Sequence, residues 1–198
     1  MSALARLSDE ILVCPHCELA RSRTRAVPGE GAEDANLLFI GEGPGWHEDQ
    51  QGRPFVGSAG QFLDQLLALI GLRREHVYIT NIVKCRPPQN RDPLPAEIQS
   101  CRPWLDRQID LIRPRMVVTL GRHSLARYAP GESIGKVHGK PRKLNDMIHY
   151  PMYHPAAALH QASLRRTIES DMLRIPEILA EDKGVCQEAA GVQQLSMF

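Results

Sequence analysis

The chain has 198 residues, 42% hydrophobic and 24% charged, which suits one globular domain with a core of normal size. It has no run of 18 apolar residues, which argues against a membrane-spanning helix, and residues 1–6 lack the apolar stretch of a secretory leader, so a cytoplasmic setting is expected. The net charge of +1 neither demands nor forbids a nucleic-acid partner, and five cysteines in a reducing compartment point to metal or cluster ligation before disulfides.

In chain order, the apolar run 36–41 predicts a buried strand ending in glycine. Two glycine-rich segments follow, 41–45 and 52–60. Residues 59–70 place Phe62, Leu63, Leu66, Leu67 and Ile70 on one helical face, and Gly71 ends that helix. The β-branched and aromatic run 77–83 predicts a second strand. A helix over 96–112 follows Pro95, turns Ile98, Trp104, Leu105 and Ile109 inward, and stops before Pro114. Residues 116–121 form the third strand, with a short helix after Gly121. Residues 147–153 form a fourth, despite the ladder donor missing at Pro151. Residues 156–179 read as a long helix broken or kinked at Pro176. From residue 180 the periodicity stops, and 180–198 reads as a flexible tail behind a domain of 1–179. Strands alternating with helices imply an α/β fold, with a parallel sheet covered on both faces. Ligands of such sheets bind at the carboxyl ends of the strands, a rule that collects residues 41–45, Asn81, Gly121 and His154 on one rim.

Cys14 and Cys17 form a CxxC pair, Cys85 follows the second strand, and Cys101 lies early in the next helix. By spacing alone, four thiolates from three segments serve a tetrahedral zinc and an iron–sulfur cubane equally well. Cys85 and Cys101 also fit as buried free thiols, and Cys186 reads as a bystander. The loop 41–45 matches neither a dinucleotide fingerprint nor a phosphate loop. Phe55, set between glycines, reads as a core residue or as a stacking platform for a base. Basic clusters occur at Arg21, Arg23 and Arg25, over 136–143, and at Arg165 and Arg166. They read either as solvated surface or as phosphate contacts.

Cys14-x-x-Cys17, the runs 27–31, 41–45, 52–60 and 78–88, Asn90-Arg91-x-Pro93, Cys101, Leu120-Gly121 and His154-Pro155 occur in the order found in family 4, iron–sulfur type, uracil-DNA glycosylases, and over about residues 8–179 the sequence resembles that family. The resemblance implies a three-layer α/β/α sandwich around a four-stranded parallel sheet. It also implies a 4Fe-4S cluster on Cys14, Cys17, Cys85 and Cys101, and hydrolysis of the uracil–deoxyribose bond after the base flips out of DNA. A related branch that bonds covalently to uracil-DNA carries a basic insert after the second strand, and residues 84–91 leave no room for it. By motif match Phe55 stacks on uracil, Asn81 reads its Watson–Crick edge, and His154 donates to O2. Glu42 positions or activates water, although other glycosylase families carry Asp or Asn where this chain has Gly43. Glu48 and Asn90 match positions that support the pocket, and Glu48 also fits a role in excluding the methyl of thymine. Leu159 reads either as a wedge into the vacated base stack or as a core residue. The cluster 136–143 is the expected phosphate contact.

The last residues, Gln194-Leu195-Ser196-Met197-Phe198, resemble the bacterial sliding-clamp-binding peptide, with 180–193 as a linker. The expected protein is therefore a monomeric, nucleoid-associated repair enzyme acting on single- or double-stranded uracil-containing DNA. The competing readings are a related glycosylase for another lesion, such as hypoxanthine or a mismatched base, and a non-catalytic cluster-bearing DNA-binding protein or redox sensor.

Overall fold

The computed structural model describes residues 1–182. Its centre is a six-stranded sheet in the order β1-β3-β2-β4-β6-β5. The strands are β1 (Glu30–Gly31), β2 (Leu37–Gly41), β3 (Tyr78–Asn81), β4 (Met116–Leu120), β5 (Arg142–Leu144) and β6 (Met147–Met152). Strands β3, β2, β4 and β6 run parallel, as expected; β1 and β5 add short antiparallel edges that the sequence did not announce.

The two faces of β2 show how sequence makes layers. Leu37 and Phe39 point into one core, shared with Phe62, Leu63, Leu66 and Leu67 of α4 (Ser58–Leu69) and Ile168 and Met172 of α9 (Ser163–Leu173). Leu38 and Ile40 point into the other, shared with Leu4, Leu7 and Ile11 of α1 (Ala3–Leu12) and Trp104, Leu105 and Ile112 of α5 (Pro95–Ile112). Period-two alternation with both faces apolar requires helices on both sides. Each fully buried Leu or Ile contributes about 1.5–3 kcal/mol relative to exposure.

Pro151 lies inside β6 without breaking it. Its carbonyl accepts from Gly139 N at 2.9 Å, on the side away from β4, whereas Met152 O accepts from Gly121 N across the ladder at 2.8 Å. The N–H that proline lacks would therefore have faced outward, beyond the end of β5. The long C-terminal helix is divided: α8 (Pro155–His160), then α9, then a turn at Arg174 before helical residues 175–182. Residues 180–182 are thus helical, not tail, and the Asp182 carboxylate pairs with Arg115 and Lys143. Cys186, Gln194, Leu195, Met197 and Phe198 lie outside the described residues. Among the described residues, no helix is long and apolar enough to cross a membrane.

His149 on β6 is 1% exposed; its Nε2 lies 2.8 Å from Thr119 Oγ1, and its Nδ1 has no partner among the described residues. Burial, reinforced by Arg142, pushes its pKa from 6.5 down to about 4. Between those values the unfolded chain binds a proton that the folded chain refuses, so stability is full above pH 6.5 and falls as pH drops toward 4. The loss reaches about 1.4 kcal/mol per pH unit. In His149→Gln, urea denaturation between pH 6.5 and pH 4.5 should show a shallower slope; an unchanged slope would refute this assignment.

Candidate active site

The carboxyl ends of β2, β3 and β6 meet in a cleft of about 440 Å³, lined by Glu42, Gly43, Glu48, Phe55, Asn81, Asn90, Arg91, His154 and His160, among others. All six cleft side chains singled out in the sequence, on Glu42, Glu48, Phe55, Asn81, Asn90 and His154, therefore converge, although 112 positions separate the first from the last (154 − 42).

Phe55 has φ of +53°, a left-handed conformation rare for a bulky residue. Its surroundings enforce it. Arg74 Nη2 donates to Pro54 O at 2.7 Å and to Phe55 O at 2.8 Å. Beneath it, a Cβ on Gly60 would lie 1.8 Å from Phe55 O, so only glycine fits. The Phe55 ring stacks on the His154 imidazole with centroids 5.5 Å apart. Phe55 is both buried, at 6% exposure, and part of the cleft wall, so core and platform are not alternatives here.

Glu48 ties this wall together. Its Oε1 accepts from Val56 N at 2.8 Å and Gly57 N at 2.9 Å, and its Oε2 accepts from Gly45 N at 3.1 Å. With both oxygens engaged, the carboxylate fixes the start of α3 (Trp46–Gln51) to the Phe55 loop. Asn81, at the end of β3, is 2% exposed. A Cβ on Gly41 would lie 2.4 Å from its Oδ1, which makes the neighbouring strand end a glycine position. Asn90 sits in a left-handed turn with φ of +54°, its Oδ1 accepting from Arg86 Nε at 2.7 Å.

His154 caps α8: its Nδ1 accepts from Ala156 N at 3.1 Å. The ring proton therefore sits on Nε2, the tautomer that can donate. Burial pushes the imidazole down to about 4, partly opposed by Glu48, so the ring is neutral at physiological pH.

Glu42 belongs to a charged group that the sequence did not reveal. His123 Nε2 lies 3.7 Å from its Oε2 and 3.4 Å from Asp92 Oδ1, and Arg122 pairs with Asp92. Gly121, with φ of +88°, turns the chain out of β4 into α6 (Arg122–Leu125) and so delivers Arg122 and His123 here. Burial raises the Glu42 carboxyl above its usual range, the His123 charge works downward, and Asp92 works upward. No motif marked His123, because its link to Glu42 spans 81 positions (123 − 42) and depends on β4 lying beside β2.

On the α1/α5 side, Cys14, Cys17, Cys85 and Cys101 line one small pocket together with Ile11, Lys84 and Trp104, and none of the four is in a disulfide. Three N–H donors meet their sulfurs: Arg23 Nη1 to Cys85 at 3.0 Å, Trp104 Nε1 to Cys14 at 3.2 Å and Lys84 N to Cys101 at 3.3 Å. Burial pushes the Cys101 thiol up to about 11 and raises Cys85 as well, with Lys84 and Arg23 opposing. Among the described residues, the one set of three or more His, Cys, Asp or Glu ligand atoms lying mutually within 4.8 Å is Glu42, Asp92 and His123, so no three of these sulfurs are that close.

With this geometry in view, residues 28–174 match the uracil DNA glycosylase superfamily. The chain is 48% identical to a type-4 uracil-DNA glycosylase of Sulfurisphaera tokodaii, over 92% of this chain and 88% of that one. It is 44% identical to the type-4 enzyme of Archaeoglobus fulgidus, over 90% of this chain and 94% of that one. The chain belongs to the type-4 uracil-DNA glycosylases. A type-5 uracil-DNA glycosylase of Pyrobaculum aerophilum is more distant, at 34% identity over 74% of this chain and 72% of that one.

Within this type-4 chain, Gly43 has a local reason. A Cβ there would lie 2.8 Å from Val83 Cγ2, so Asp or Asn at this place would push against the segment that follows β3. Leu159, on α8 beside the cleft-lining His160, is 50% exposed, not core. The cluster 136–143 departs from expectation: Arg142 pairs with Glu132, Lys143 with Asp182, and His138 with Asp171. Arg142 and Lys143 stand opposite His149 and Ile148, at the end of β6 away from the cleft, which removes both as phosphate contacts beside it.

Proposed function

We propose that this protein excises uracil from DNA by hydrolysing the bond between uracil N1 and deoxyribose C1′, with the flipped base held in the cleft. The observation carrying this reading is the joint placement of Phe55, Asn81 and neutral His154 around one cavity. The Phe55 ring offers a stacking face. The Asn81 amide accepts from uracil N3–H and donates to O4. Cytosine reverses that pattern and leaves buried groups unpaired, at about 1–3 kcal/mol each. As the bond lengthens, charge grows negative on uracil O2 and positive on the sugar, and His154 Nε2–H donates to O2. Water adds its hydroxyl to C1′ as the N1–C1′ bond breaks and uracil leaves as its anion, which is protonated after release. Glu42, half-buried with a raised pKa, orients that water and takes up the proton. Glu48 and Asn90 fix the loops around the base, and Leu159 wedges into the emptied stack.

The decisive test is incubation with single- and double-stranded uracil-containing DNA, followed by a count of abasic sites. Uracil left in place would refute the reading; release of hypoxanthine instead would favour the related glycosylase. Glu42→Gln should slow single-turnover excision about 100-fold, and an unchanged rate would remove Glu42 from the chemistry.

The four cysteines fit a 4Fe-4S cluster as their ligands. Sulfurs on one tetrahedral zinc lie about 3.8 Å apart, given Zn–S bonds of about 2.3 Å. No three of these sulfurs lie mutually within 4.8 Å, and three N–H groups donate to sulfur, which together favour a polynuclear, anionic group. Such a group can carry electrons, but the hydrolysis above requires none; its part is to bind the N-terminal segment to the residues after β3 and to α5. Purified protein should contain about four iron atoms per chain, and Cys101→Ala should lose visible absorbance and melt at lower temperature. Zinc in their place would refute the cluster.

We extend the proposal to a domain followed by a tail that begins beyond residue 182, with Gln194-Leu195-Ser196-Met197-Phe198 as a sliding-clamp peptide. This rests on the sequence alone. Deleting those five residues should abolish clamp binding and leave excision intact; a full-length chain that binds no clamp would end the idea.

A further inference from the structure

Lys84 is 1% exposed, and among the described residues the partners of its Nζ are neutral oxygens. A buried ammonium is costly unless its protons are satisfied. All three are: Nζ donates to Thr80 Oγ1 at 2.6 Å, to Gln108 Oε1 at 2.7 Å and to the main-chain carbonyl of Asn81 at 2.8 Å. The same residue is held through its own main chain, its N donating to Cys101 Sγ at 3.3 Å and its O accepting from Val27 N at 2.7 Å. Thr80 is anchored in turn by donating to Pro28 O at 2.7 Å. One buried side chain thus joins the end of β3, helix α5 and the cysteine pocket. The atom of β3 that it grips belongs to the residue whose amide lines the cleft.

We propose that Lys84 is a positioning residue for uracil recognition, holding the Asn81 main chain, and through it the Asn81 side-chain amide, in register with the cysteine site. The proposal rests on the reading of Asn81 as the uracil-edge partner. Lys84 touches neither the cleft nor the base, since it is absent from the cleft lining. Its effect must pass through Asn81. A lysine that merely fills the core would be replaced by methionine at little functional cost, because an apolar side chain of similar length fits an apolar interior.

A double-mutant cycle on the iron-loaded, full-length protein separates the two cases. Lys84→Met should keep its iron content and visible absorbance, slow single-turnover uracil excision about 10- to 100-fold, and weaken inhibition by free uracil. In an Asn81→Ala background the same substitution should slow excision less than about 2-fold, because the group it positions is already gone. Equal factors in both backgrounds, or no slowing in the native background, would overturn the proposal. An Asn81→Ala protein that excises at the native rate would instead overturn the reading of Asn81, and this proposal with it. If Lys84→Met does not fold, Thr80→Val removes one acceptor of the same ammonium and enters the same cycle. Its slowing must vanish in the Asn81→Ala background, and additivity again refutes the coupling.

Discussion

His154→Ala should slow single-turnover uracil excision about 100- to 1,000-fold, the range for removing one preorganised donor to a developing oxyanion. Geometry argues for that size. Nδ1 is committed to Ala156 N, so Nε2–H is the donor, and it needs no reorientation when charge appears on uracil O2. The stack against Phe55 fixes the ring plane. The ring proton is also dependable, because burial holds the imidazolium pKa at about 4. From about pH 5 upward the side chain is the same neutral donor, so excision should not decline through pH 6–7 as it would if an imidazolium were required. A native rate that falls as pH rises through 6.5, and loses that fall in His154→Ala, would show the charged form at work. His154→Gln, which keeps an N–H, should recover part of the loss. The alanine variant leaves a gap beside Phe55, so a thermal melt must accompany the rate. A melting shift without a rate change would make His154 a packing residue.

The strand ends were legible because glycine and apolar periodicity mark them locally. The run 36–41 announces a strand buried on both faces, and the parallel rule then places Asn81 and His154 on the same rim as Glu42 without any knowledge of contacts. Other features were hidden for identifiable reasons. Strand β1 is two residues long and β5 three, too short for an alternating pattern to register. Helix α1 is absent from the predicted elements, and its buried face of Leu4, Leu7 and Ile11 acquires meaning only against α5. The basic run 136–143 suggested phosphate contacts, yet Glu132, Asp171 and Asp182, distant or on other elements, neutralise much of it. Lys84 is the sharpest case. In sequence it is a polar residue between Val83 and Cys85 and invites a surface reading, whereas its acceptors come from β3 and α5 and become visible only once those elements pack. Local pattern reports elements, but satisfaction of a buried charge is a property of the assembled core.

Gly41→Ala should disable the site while leaving the fold standing. Gly41 does not occupy a left-handed conformation, so alanine brings no backbone penalty. The obstacle is entirely side-chain contact. The new Cβ would lie 2.4 Å from Asn81 Oδ1 and 2.5 Å from Phe55 Cζ, both well inside van der Waals distance. One of the two must move. Phe55 is the less able, since Arg74 grips the carbonyls of Pro54 and Phe55 and Gly60 lies directly beneath. Asn81 therefore yields, and its amide leaves the position from which it would read N3–H and O4. A displacement near 1 Å at a positioning group costs on the order of 100-fold in rate, whereas overpacking one methyl costs about 1–3 kcal/mol of stability. The expected signature is a drop in excision of about 100-fold or more, a modest fall in melting temperature, and a narrowed preference for uracil over cytosine. Val118→Ile, a comparable overpacking in β4 away from the cleft, supplies the control: similar destabilisation with near-native excision. If Gly41→Ala lost no more activity than Val118→Ile at matched stability, the tight contact of Gly41, Asn81 and Phe55 would be a packing feature, and Asn81 would not be the group that reads the base.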